Sequence, residues 1–319
     1  MTRRIALSVG DPNGIGPEIA LKALEALVGE DRLRITLFGP PDVLRRTAKA
    51  IKLERSLFGV DLRPVGELPV AFATPGEVNA KAGASAVASA TAAIKACRAG
   101  EFDAVVAGPH HEGAIRQAGI NFTGFPALLA HVCGQPEDSV FLMMVGGGLR
   151  IVHVTLHESV INAIARITPE LVVTATLAGQ RACRKLGLSA TSVALFGINP
   201  HASDGRLFGP EDEERVVPAA KRLRELGIDV TGPEGADMLL AARKHDLYVA
   251  MLHDQGHIPV KLVAPQAASA VSIGAEVLLA STGHGSAMDI AGRGTARPDA
   301  LLRSLRLVAG IGSVPVAAA

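Results

Sequence analysis

Three histidines of this chain, His157, His201 and His253, each come shortly after an apolar run, at residues 150–156, 193–196 and 247–252. A neutral imidazole offers a ring nitrogen to a metal. Three of them delivered to one place would hold a divalent ion while leaving coordination positions open for substrate. Glu158, Asn199, Asp254 and Gln255 are polar neighbours able to orient the rings. The same histidines also suit hydrogen-bonded positions at strand ends, and no local spacing of the His-Glu-x-x-His kind marks a metal site by itself.

The elements around them set the geometry. Residues 5–9 read as a buried strand running into Gly10-Asp11-Pro12-Asn13-Gly14-Ile15-Gly16-Pro17-Glu18, where Pro17 suits the first position of a helix. A strand over 35–38 is followed by a helix from Asp42, whose side chain is expected to cap it. An Ala-rich helix over 84–99 stops at Gly100, ahead of a strand at 104–107 and a loop at 108–113. Between 140 and 156, two apolar runs flank Gly146-Gly147-Gly148, the mark of a hairpin that interrupts the parallel pattern. Thr168-Pro169-Glu170 opens the next helix, and strands at 192–196 and 247–252 enclose a helix at 210–226. Short strands near Val271 and Val277 precede a last helix from Pro298. This alternation predicts an α/β fold, in which ligands collect at the carboxyl ends of strands, where the histidines fall.

Composition narrows the function classes. With 319 residues, 48% of them hydrophobic, 3% aromatic and no Trp, the interior must be built from Ala, Val, Leu and Ile. Lys plus Arg at 32 against Asp plus Glu at 31 leaves a net charge of +1, and no basic stripe interleaves with aromatics, so no nucleic-acid partner is expected. Cys97, Cys133 and Cys183 are odd in number and sit in apolar surroundings, which suits free thiols in a reducing compartment. The apolar stretch before Gly10 is too short for a signal-peptide core, and no run approaches the ~20 apolar residues of a membrane span. A cytoplasmic protein with no membrane partner is the expectation.

Four segments carry a family resemblance: Gly10 to Glu18, Asn199-Pro200-His201-Ala202, His253-Asp254-Gln255-Gly256 with Ile258-Pro259-Val260-Lys261, and His284-Gly285-Ser286-Ala287-Met288-Asp289-Ile290-Ala291-Gly292. Together they resemble the signatures of the 4-hydroxythreonine-4-phosphate dehydrogenase (PdxA) family from end to end. The resemblance implies a fold similar to isopropylmalate and isocitrate dehydrogenases, with two α/β/α lobes and an active site in the interlobe cleft at a homodimer interface. Residues 1–130 with 260–319 would form a first lobe, with a nucleotide-binding loop at 283–294, and residues 131–259 a second lobe with the dimer interface and the metal ligands. It implies NAD as cofactor, contacted by His284, Gly285, Ser286, Ala287 and Asp289, and one divalent metal on His157, His201 and His253. Zn2+ or Fe2+ suits three imidazoles, with Mn2+ and Mg2+ as alternatives. Lys261 matches a substrate-contacting lysine, as general acid/base or as a point charge. Asp237 matches an acidic residue near the active site and equally suits a helix cap. Gly10 to Gly16 is not the Gly-x-Gly-x-x-Gly fingerprint and reads as structural or peripheral.

The departures point to the substrate. Where the family carries Gly-His-Thr-Glu, this chain has Gly124-Phe125-Pro126-Ala127, and Ala270 and Leu279 align with an asparagine and an arginine that serve a phosphate. A site without those groups is poorly equipped for a dianion. Phe125 and Leu279 would suit a flat ring instead, and His110 and His111 either hold a distant carboxylate or form a polar loop. One branch fits, the cis-dihydrodiol dehydrogenases of terephthalate breakdown, which the chain resembles through Pro109-His110-His111-Glu112, the segment from Val154 to Ser159, Gly197-Ile198-Asn199-Pro200-His201 and the segment from Lys244 to Met251. The resemblance implies NAD-dependent, metal-dependent oxidation of a small dicarboxylate, 1,2-dihydroxy-3,5-cyclohexadiene-1,4-dicarboxylate, to protocatechuate and CO2. The alternatives are 4-hydroxythreonine-4-phosphate dehydrogenase of pyridoxal phosphate synthesis and a non-catalytic binding protein on the same fold.

Overall fold

Short runs of Ala, Val, Ile and Leu that are apolar on both faces form strands only if both faces are covered, and the structure covers them with helices. The computed structural model describes residues 2–265 and 267–311. In chain order β1 (Arg3–Ser8), α1 (Gly16–Ala26), β2 (Leu33–Gly39), α2 (Pro41–Ala50), β3 (Asp61–Pro64), α3 (Ala80–Arg98), β4 (Ala104–Ala107), α4 (Glu112–Gln117) and α5 (Phe125–Cys133) come first. There follow β5 (Phe141–Gly146), β6 (Leu149–His153), α6 (Val160–Arg166), α7 (Pro169–Lys185), β7 (Ser192–Phe196), α8 (Val217–Glu225), β8 (Asp229–Glu234), α9 (Ala236–Ala242), β9 (Leu247–Ala250), α10 (His253–Val263) and β10 (Ser269–Ile273). The chain then adds β11 (Leu279–Thr282) and α11 (Asp299–Ala309).

These elements make two units, residues 2–134 with 276–311, and residues 135–275. In the first, the strands run β3-β2-β1-β4-β11 and every pairing is parallel. In the second, the order is β10-β5-β6-β9-β7-β8, antiparallel from β10 to β6 and parallel from β6 onward. The second unit's core gathers Leu142, Met144, Ile151, Phe196, Tyr248 and Val260. Residues 260–275, assigned to the first lobe on sequence, belong to the second unit, because α10 continues unbroken to Val263 and β10 pairs with β5.

Most local expectations hold. Gly147 and Gly148 take φ of 57° and 79°, as a two-residue hairpin between β5 and β6 requires. Thr168 caps α7 through the Leu171 amide. Two differ. Asp42 does not cap α2: the helix starts at Pro41, and Asp42 pairs with Arg45 in its first turn. The predicted helix at 210–226 opens with a wide π turn over Asp212–Val216 before α8, since Pro218 has no N–H to give the ordinary bond.

Asp246 ties the starts of two parallel strands together. Its Oδ2 accepts from the Ser189 and Thr191 hydroxyls, each at 2.7 Å, and from the Thr191 amide at 3.0 Å. Partial burial pushes its carboxyl up, but the bonds from Thr191, Ser189 and Ser192 outweigh it and bring the pKa down to about 2. A pKa below the ordinary value means the unfolded chain binds the proton more tightly. The contribution of this group, about 2 kcal/mol, is therefore complete above the usual carboxylate range and lost as pH falls towards 2. Asp246→Ala should lower stability by about 2 kcal/mol at neutral pH and by little near pH 2, measured by urea unfolding at both.

Candidate active site

Strand β6 ends on His153, and His157 follows four residues later on an exposed turn. Parallel strand β9 leads into α10, whose first residue is His253. Gln255 fixes that junction: its Oε1 accepts from the Met251 and Leu252 amides, both at 3.0 Å, and its Nε2 donates to Gly197 O at 2.8 Å. The Thr155 hydroxyl donates to Met251 O at 2.6 Å, joining the two strand ends. The result brings His157 and His253 together, with ring centroids 5.6 Å apart.

His253 Nδ1 donates to Asp254 Oδ1 at 2.7 Å, which leaves Nε2 as a lone-pair donor toward a metal. His201 is not part of this group. It lies on the turn Pro200–Ser203, its ring neighbour is Phe208 at 6.1 Å, and among the described residues no set of three His, Cys, Asp or Glu side chains is grouped to hold a metal. Two imidazoles, His157 and His253, have the chemistry and the proximity for part of a metal site.

Sequence reasoning missed two members of this cluster, His153 and His257. His257 stacks on His253 with centroids 3.9 Å apart and planes 10° apart, and its Nδ1 lies 2.9 Å from His153 Nε2. His153 Nδ1 faces Leu142 O at 3.3 Å. The repeated four-residue spacing, 153 to 157 and 253 to 257, was the available signal; on α10 it sets both rings, and Lys261 one turn further, on one face. Burial and the neighbouring imidazole push His153 down to about 3, and burial, His253 and Lys261 push His257 down to about 4. Lys261 itself is exposed on α10, and Asp237 is exposed in the first turn of α9, where its carboxylate lies against Gly235 at the helix start.

The first unit holds the remaining candidates. His284 and Asp289 are exposed on the loop after β11, while Ser286 is buried. The Gly10 to Glu18 segment, read as peripheral, is the bed of that loop. The Ile15 amide donates to Ser286 O at 2.9 Å, and a Cβ on Gly14 would stand 2.7 Å from the Ser286 Cβ. Buried Glu18 accepts from the Ala296 amide at 2.8 Å and the Gly294 amide at 3.2 Å, and Lys22 binds Glu18 and the Gly294 and Ala296 carbonyls. Ala287 takes the left-handed φ of 42°, and Gly285 has open space around it, so a ligand can approach the backbone.

Two proposed substrate contacts need correction. Leu279 is fully buried in β11, registered against Val105, and offers no surface to a ring. Phe125 is buried too, packed edge-on to His110 at 4.9 Å and Phe122 at 5.7 Å, beside a cavity of about 10 Å3 that holds no more than a water. His111 caps α4 through the Ala114 amide at 3.1 Å, and His110 remains partly exposed on the aromatic cluster.

The chain matches the family profile described as pyridoxal phosphate biosynthetic protein PdxA over residues 31–308. It is 58% identical over 306 residues to a 1,2-dihydroxy-3,5-cyclohexadiene-1,4-dicarboxylate dehydrogenase of Comamonas sp, covering 96% of this chain and 97% of the relative. It is 34% identical to a 4-hydroxythreonine-4-phosphate dehydrogenase of Maricaulis maris, covering 94% and 95%. Among solved structures it is similar to a terephthalate 1,2-cis-dihydrodiol dehydrogenase from Burkholderia xenovorans LB400, with 45% identity, a TM-score of 0.73 and coverage of 97% and 98%.

The unfolded chain titrates its histidines near 6.5, while His153 and His257 resist protonation to about 3 and 4. The unfolded state thus binds more protons between those values, and stability should fall as pH drops from 6.5 toward 4. His257→Phe should flatten that part of the profile in urea melts.

Proposed function

The chain belongs to the PdxA family, and on that premise we propose that it is an oxidoreductase, an NAD-dependent dehydrogenase of 1,2-dihydroxy-3,5-cyclohexadiene-1,4-dicarboxylate. The carbinol carbon beside the carboxyl-bearing carbon gives hydride to NAD+, and the hydroxyl proton leaves. The β-keto acid then loses CO2, and the bond electrons return to the ring, which becomes aromatic as protocatechuate. The observation that carries this choice is the end-to-end identity of 58% to a relative of that name, against 34% to the 4-hydroxythreonine-4-phosphate enzyme. The absence of polar groups at Ala270 and Leu279, where the family's asparagine and arginine serve a phosphate, points the same way.

The residues take these roles. His157 and His253 hold a divalent metal, Zn2+ or Fe2+, with Asp254 orienting the second ring; when bound, such an ion polarises an alcohol or ketone oxygen. Lys261 supplies a positive charge or a proton on the His253 face of α10. His284, Gly285, Ser286, Ala287 and Asp289 receive the cofactor on the bed formed by Ile15 and Glu18. His110 and His111 are kept as the anchor for the second carboxylate.

A homodimer is part of this reading. Large apolar side chains are exposed on the second unit, among them Ile161 at 81% and Leu262 at 77%. A second copy would cover them and is the proposed source of His201 for the metal. Among the described residues no single helix is long and apolar enough to cross a membrane, and the cytoplasm is the proposed compartment.

Purified protein should form NADH with the cyclic diol and not with 4-hydroxythreonine-4-phosphate. A chelator or His253→Ala should abolish turnover, and Lys261→Ala should cut kcat by about 10²–10⁴-fold. Turnover of the phosphorylated amino acid instead would reverse the substrate assignment. Ile161→Glu with Leu262→Glu should convert a dimer to a monomer in analytical ultracentrifugation; a wild-type monomer would overturn the dimer.

A further inference from the structure

The resting geometry of His253 is set from two sides. Asp254 accepts its Nδ1–H, which fixes the tautomer but leaves the ring free to swing about that bond. The ring of His257 lies flat against it at 3.9 Å and 10°, which removes that freedom. His257 is not free to move either. Its Nδ1 is hydrogen-bonded at 2.9 Å to His153, a side chain with 1% of its surface exposed.

The proton positions in this chain of rings follow from its fixed end. Leu142 O can only accept, so His153 Nδ1 carries the hydrogen and Nε2 carries the lone pair. His257 Nδ1 must then be the donor to His153, and the His257 ring also bonds the His253 backbone one turn back on α10. Gly256 completes the cage: a Cβ there would stand 2.3 Å from His153 Nε2, so α10 lies against the buried ring with no room for a larger residue.

We infer that His257, held by His153, is a positioning residue that fixes the plane of the His253 ring for ligation. This rests on the reading of His253 as a metal ligand. Neither His153 nor His257 touches substrate in this assignment; both act through His253. A partner that holds a ligand in orientation is worth about 10–100-fold in metal affinity when lost.

The test uses full-length protein stripped of metal and titrated with Co2+, following its visible absorption, together with long-range 1H–15N spectra of the histidine rings. Wild-type spectra should show His153 and His257 as Nδ1–H tautomers; a different tautomer on either ring overturns the inference. His257→Ala should weaken Co2+ binding by about 10–100-fold. His257→Phe, which keeps a stacking ring but loses the bond to His153, should fall between that variant and wild type. Wild-type Co2+ affinity and absorption in His257→Ala would overturn the inference. His253→Ala is the control for the underlying reading and should lose Co2+ binding altogether. Should it bind normally, the metal reading fails, and the ring shifts of His253 in His257→Ala still decide the positioning role: a displaced resonance supports it and an unchanged one refutes it. If His257→Ala does not fold, His257→Phe carries the same comparison.

Discussion

A buried imidazole must have both ring nitrogens answered, and the second unit is arranged around one that does. Leaving such a group without partners costs about 1–3 kcal/mol. His153 avoids this by facing Leu142 O across the β5–β6 hairpin and His257 on α10. The strand end and the helix face are thereby held to each other at a fixed distance. His157 and His253 lie on the continuations of those two elements and inherit their rigidity. An apolar pair at 153 and 257 would pack as well, but it would not set the ring planes, because dispersion contacts have no direction.

The first unit solves the same problem with a carboxylate. Glu18 is buried on α1, where an unpaired charge would be far more costly than an unpaired imidazole. Its two oxygens take the Gly294 and Ala296 amides and the Lys22 ammonium, and Lys22 in turn takes the carbonyls of the same two residues. A closed ring of charge-assisted bonds therefore fastens the far end of the loop that begins at His284. Ile15 fastens its start through Ser286. The nine-residue segment from Gly10 to Glu18 is best understood as the mount for this loop, and its glycines at 14 and 16 are needed because backbone from elsewhere passes where a Cβ would be.

Much of this was legible in the sequence, and the failures have physical causes. Strands buried on both faces announce themselves by composition, and the hairpin by its glycines, because those are local properties. His157 and His253 were legible because strand ends are where α/β folds expose side chains. His153 was not, since a histidine inside an apolar strand looks like an interruption until its partner on α10 is known. Leu279 and Phe125 were misread because an apolar substitution in a binding segment can as easily fill a core as line a pocket. Leu279 lies in a strand covered on both faces, and Phe125 has His110 and Phe122 to pack against.

His201 shows how a backbone can announce a role that its contacts do not. His201, Ala202, Ser203 and Asp204 all take positive φ, at 52°, 51°, 68° and 40°, though none is glycine. Each such residue costs about 1–2 kcal/mol, so the turn persists only because something holds it. That something is Asp212, fully buried, which accepts from the Ile198 and Asn199 amides and the Ser203 hydroxyl at 2.7, 3.0 and 2.8 Å. Gly197 lets the turn fold back upon β7, since a Cβ there would stand 2.7 Å from the Ala202 Cα. A buried carboxylate and a special glycine thus both hold an exposed imidazole on a strained turn. The homodimer proposed above would give such a turn a use, the presentation of His201 outward to a partner surface.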